Sequence, residues 1–137
     1  MPSEPAIALI GAGVGGVIGT CGTWFVSTRL ERRRNNARLR GVIGLLAAEL
    51  ENNRDRIAGH HGQAAEEPWA RVLTLGDWDA NKAAFSQLVR DEPLWNGVVT
   101  TYAAIFEAIS GRRDPPGPEQ LDAVRGDLVA ARKELTR

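Results

Sequence analysis

Half of what this chain says about itself lies in what it lacks. It has one cysteine in 137 residues, so no internal disulfide can form, as expected of a domain in a reducing compartment. Its two histidines, His60 and His61, are adjacent, whereas zinc pairs on helices sit three or four apart; Glu66 and Glu67 could join them only in a folded loop. No stretch alternates apolar and polar residues with period two, so strands are not expected. Ser86 and Ser110 lack a nucleophile-elbow context. Asp77 and Asp79 flank Trp78, but spacing places no His, Lys or second carboxylate beside them for acid–base work. The expectation is a non-enzyme with no catalytic residue, no cofactor and no metal.

Charge is missing from a long stretch as well. Pro5 to Thr28 carries none for 24 positions. A helix rises about 1.5 Å per residue, so roughly 20 such residues cross a hydrocarbon core about 30 Å thick. The run from Ala6 to Val26 is long enough, and Trp24 and Phe25 sit at its end, where aromatic rings favour the headgroup level. Six arginines follow within twelve residues (Arg29, Arg32, Arg33, Arg34, Arg38 and Arg40), opposed only by Glu31. The preceding flank holds Glu4 and no basic side chain. By the positive-inside rule the N-terminus is expected outside and residues 29–137 in the cytoplasm of a cell with an inner (plasma) membrane. A cleaved signal peptide would want a basic leading region, which is missing here. Cys21 follows Thr20 and precedes apolar Gly22 to Val26, which suits a continuing span better than a lipoprotein site.

The segment Gly11-Ala12-Gly13-Val14-Gly15-Gly16 matches the dinucleotide fingerprint G-x-G-x-x-G. That motif has meaning only in a strand–turn–helix–strand unit with an acidic residue about 20 positions on, where this chain has arginines and asparagines. In lipid the same residues read differently. Gly11, Gly15 and Gly19 share one helix face, and Ala12, Gly16 and Thr20 form a second small ridge beside it. Small residues let two helix backbones approach closely, and packing drives association in a bilayer. This face is expected to meet a second copy or another membrane protein.

The chain as a whole is formally neutral, so residues 41–137 are net acidic beside a basic collar at 29–40. Such a collar suits an anionic inner leaflet, each arginine adding about 1 kcal/mol of attraction near the surface. Nucleic-acid binding would need basic residues over a domain face with stacking aromatics, and these are confined to the collar.

The remainder is expected to be one small domain of helices. Leu39, Ile43, Leu46, Leu50, Asn53 and Ile57 step by three and four, a seam on a first helix that continues from the collar and ends near Gly59. Gly59 to Glu67 reads as a loop. Trp69, Val72 and Leu73 suggest a short helical piece after Pro68, broken at Gly76; Asp77 is expected to cap the next piece, with Trp78, Phe85, Leu88 and Val89 on one face. Asp91-Glu92-Pro93 reads as a helix start. Trp95, Val98, Val99, Tyr102, Ile105, Phe106 and Ile109 then form a stripe that Gly111 ends. Pro118 opens a last helix bearing Leu121, Val124, Leu128, Ala131 and Leu135. Short connections predict an antiparallel, up-and-down bundle. Trp69, Trp78 and Trp95, each able to bury roughly 200 Å², are expected in its core. Asn53, with Glu49 one turn before it, is a candidate for setting register, the usual role of a buried asparagine in a helical seam.

The predicted organisation is thus an all-α chain: a transmembrane anchor at 1–28 with its span at about 6–26, a basic juxtamembrane collar at 29–40, and a cytoplasmic helical bundle at 41–137. The order Leu46 to Ile57, containing Glu49-Leu50-x-x-Asn53, then Leu75-Gly76-Asp77-Trp78, then Leu94-Trp95 and Tyr102, resembles a pattern in uncharacterised bacterial membrane proteins of actinobacterial type. These carry one or two spans and a cytoplasmic helical bundle, and the resemblance implies that architecture and no chemistry. The functional expectation is a scaffold, adaptor or accessory subunit. It would act through the glycine face in the bilayer, the arginines on membrane lipid, and the bundle on a cytoplasmic protein partner. The alternative is a small oligomerising effector, holin-like or a defence toxin, that perturbs the bilayer.

Overall fold

The computed structural model describes residues 4–60 and 68–137, with side chains from residue 27 onward. Five helices follow one another: α1 (Glu4–His60), α2 (Trp69–Val72), α3 (Gly76–Leu88), α4 (Glu92–Ile109) and α5 (Pro118–Glu134). No strand occurs among the described residues. Two compact units divide the chain, Met1–Asn35 and Asn36–Arg137. Among the described residues no helix is long and apolar enough to cross a membrane. The run at 6–26, with its face of Gly11, Ala12, Gly15, Gly16, Gly19 and Thr20, lies outside the residues whose side chains are described.

The second unit is a helical bundle around one core. The predicted α1 seam is all inside: Leu39, Ile43, Leu46, Leu50, Asn53 and Ile57 are buried, joined by Val42. From the other helices the core receives Leu73, Phe85, Leu94, Val98, Tyr102, Ile105, Ala108, Leu121, Val124 and Leu128. Three contacts order α1 against α5. Arg54 meets Asp122, Glu51 meets Arg125, and Gly44 lies under Arg132. The numbers fall on one helix as they rise on the other, so the two run antiparallel.

Local chemistry sets several boundaries. The Asp91 carboxylate accepts from Leu94 N at 3.1 Å, capping α4 in the turn that holds Pro93. Gly111 takes a φ of 73° after α4. There Arg112 N bonds Glu107 O and Gly111 N bonds Ala108 O, the paired closure that glycine permits. Pro118 opens α5.

Three expectations need correction. Gly76 does not break a helix; it is the first residue of α3, and Asp77 sits inside the first turn rather than capping it. The α4 stripe is turned: Phe106 is 54% exposed, while Leu94, Thr101 and Ala108 are buried. Taking every large apolar residue as inward misplaced Phe106: the buried positions 94, 98, 101, 102, 105 and 108 centre the inward face near 105, and 106 lies about 100° further round the helix. The three tryptophans are half-buried at the margin of the core; its largest fully buried side chains are Tyr102 and Phe85.

Candidate functional site

Polar side chains on α1 fall into two groups, separated by about two turns of apolar residues and glycine. The first runs along its C-terminal half. Glu49 is 5% exposed and Asn53 fully buried. One turn apart, both point toward the connection between α2 and α3. The Glu49 carboxylate accepts from Asp77 N at 2.8 Å and from Trp78 N at 3.1 Å. These amides belong to the first turn of α3, whose orphan N–H groups and positive dipole end favour a carboxylate. The cap missing from Asp77 is thus supplied by another helix. Asn53 pairs with the Thr74 backbone in both directions, donating from Nδ2 to Thr74 O at 2.9 Å and accepting at Oδ1 from Thr74 N at 3.0 Å. Arg56 Nη1 donates to Val72 O at 2.6 Å. Three residues at i, i+4 and i+7 therefore hold the backbone from Val72 to Trp78 against α1.

The aromatic residues build on that latch. Trp78 stacks on Tyr102 with ring centres 4.6 Å apart and planes 7° apart. Phe85 stacks on Trp95 at 5.7 Å and meets Trp78 edge-on at 6.3 Å. The Tyr102 hydroxyl donates to Leu46 O at 3.4 Å. Burial raises its pKa far above the usual tyrosine value, and the Glu49 charge and hydrogen bond, then Asp77, push the same way. Tyr102 stays protonated, and the Glu49 oxygens are engaged by backbone amides. This is a structural latch: Glu49, Asn53 and Arg56 direct these polar atoms to the backbone of residues 72–78.

The second group is basic. From Glu31 to Arg38 every side chain is exposed, so Arg32, Arg33, Arg34 and Arg38 are open to solvent, as is Arg29; Arg40 is half-buried. Arg40 lines a groove with Ala37, Gly41, Val129, Arg132, Lys133 and Thr136. Arg132 and Lys133 escape a reading of the sequence, being ordinary basic residues at a helix C-terminus; only the antiparallel register of α1 and α5 brings them to Arg40.

Among the described residues the other candidates are not assembled into a site. His60 ends α1 with its ring 5.1 Å from that of Trp69, and His61, Glu66 and Glu67 lie outside the described residues. Among the described residues no three His, Cys, Asp or Glu side chains group as metal ligands. Asp79 pairs with Lys82 at 3.5 Å, and the Ser86 hydroxyl bonds Ala83 O. The search of family models finds no match to the chain. Neither a curated protein nor a solved structure matches it.

Proposed function

We propose that the protein is a bitopic inner-membrane protein, N-terminus outside, whose cytoplasmic helical bundle serves as a scaffold, adaptor or accessory subunit of a membrane assembly. One observation carries the reading. Along the sequence of α1, an uncharged run passes into exposed arginines and then into the buried seam of the bundle. Exposed cations beside an uncharged run of spanning length suit an anionic leaflet. The Arg29, Arg32, Arg33, Arg34, Arg38 and Arg40 side chains are its lipid contacts. Gly11, Gly15 and Gly19, with Ala12, Gly16 and Thr20, are its contact with a second copy or another membrane protein. The internally engaged latch supports a bundle that binds rather than reacts.

Association through the glycine face is tested with Gly15→Leu. In-cell crosslinking and assembly size in mild detergent are expected to fall, and unchanged values would sink the contact. Purification of the tagged full chain should bring partners along without growth arrest on overexpression. Depolarisation that depends on Gly11, Gly15 and Gly19 would instead establish the membrane-perturbing effector.

A further inference from the structure

The groove between residues 37–41 of α1 and 129–136 of α5 has a volume of about 630 Å³. Three of its seven lining residues are cationic and none is acidic. Arg40 Nε is shielded from solvent and has no hydrogen-bond partner, and no carboxylate pairs with Arg40, Arg132 or Lys133 among the described residues. The nearest acid along α5, Glu134, is bound to Arg137 at 3.3 Å. The carbonyls ending α5 do not explain the cations either, since Leu135 N, Thr136 N and Arg137 N satisfy Ala131 O, Lys133 O and Glu134 O.

Opposed like charges across a helix seam repel, and a guanidinium set into a wall without a counter-charge is an unmet donor. An anion resolves both. Two guanidiniums with a lysine form the donor set that suits a phosphate, arginine by its planar fork and lysine as a point charge. Ala37, Gly41 and Val129 supply apolar wall for carbon attached to that phosphate. Gly41 leaves that wall without a side chain, and a Cβ there would meet no atom within 4 Å.

We propose that this groove binds a phosphate group between Arg40, Arg132 and Lys133, the phosphate being that of an anionic lipid headgroup. The site rests on the groove alone, and only the choice of a lipid rests on the membrane reading above. Three cations around one phosphate give saturable, stoichiometric binding, unlike the diffuse attraction of the exposed collar.

The full chain in dodecyl maltoside, a detergent without phosphate, is titrated calorimetrically with inorganic phosphate and, separately, with short-chain phosphatidylglycerol. The expected result is saturation by the lipid at one equivalent. Gly41→Leu fills the groove without altering charge and replaces a helical glycine by a better helix former, so it keeps the fold. It and the double variant Arg132→Gln/Lys133→Gln should each weaken binding by about tenfold or more with helix content and melting midpoint retained. Arg71→Gln/Arg90→Gln, at two exposed arginines that line no part of the groove, should keep saturable binding. Equal saturation by inorganic phosphate would uphold the phosphate site and overturn the lipid as its source. No saturation by either ligand would overturn the proposal. So would groove variants that bind as wild type, or equal losses in the Arg71/Arg90 variant. None of these outcomes depends on whether residues 6–26 span a bilayer.

Discussion

Where Glu51 and Arg54 of α1 face Asp122 and Arg125 of α5, acids and bases alternate, with contacts of 3.1 Å between Arg54 and Asp122 and 3.5 Å between Arg125 and Glu51. At Arg40, nine residues before the latch begins at Glu49, the same two helices meet differently. Arg40 and Arg132, whose guanidinium lies over Gly44, share a wall with Lys133 and no carboxylate. One end of the seam is electrostatically closed by the protein itself; the other is left open. The lesson is that the polar residues of α1 differ along its length: Glu49, Asn53 and Arg56 are taken up by the fold, and on the proposal above Arg40 is left for a ligand.

That division can be broken from either side. The largest loss of stability is expected from Asn53→Ala, which leaves both Thr74 backbone groups unpaired in a buried site and opens a small cavity, at a cost of about 3 kcal/mol. Glu49→Ala removes the cap of α3 and strands two amides, about 2 kcal/mol. Urea midpoints of the full chain measure both, and anion binding at the groove should survive in folded protein.

Tyr102→Phe sharpens the contrast through pH. Tyr102 is held protonated in the fold well above the ordinary value near 10, while the unfolded chain ionises there. Its contribution is therefore whole below pH 10 and is lost as pH rises beyond it, by up to about 1.4 kcal/mol per unit. Near neutrality the substitution should cost under about 1 kcal/mol, since the bond to Leu46 is long. Midpoints at pH 8 and pH 11 should show the variant falling less steeply than wild type.

Smaller still is the effect of Asp122→Asn, because both partners of Arg54–Asp122 are more than a third exposed. At the open end the sign reverses. Without phosphate, Arg132→Gln should leave stability unchanged or raise it by a few tenths of a kcal/mol, as like charges part. A loss comparable to that of Asn53→Ala would show that the open end also holds the fold.

How much of this the sequence discloses follows from how local each cause is. The ends of α4 and the start of α5 are legible because Asp91, Pro93, Gly111 and Pro118 act within one turn of themselves. The α1 seam is legible from its three–four spacing. The start of α3 is not, because its cap is Glu49, 28 residues upstream of Asp77. Asn53 stands out as the polar member of an apolar seam, but its partner, the Thr74 backbone, cannot be read from side-chain identities. The groove is hidden for the same reason: Arg40 and Arg132 meet only through the fold.

The account stands most directly on which side of a membrane the bundle lies. A fluorescent protein fused after Arg137 should fluoresce in cells, and alkaline phosphatase fused at the same point should be inactive, with both fusions in the membrane fraction. Active phosphatase, or fusions that leave the membrane fraction, would contradict it.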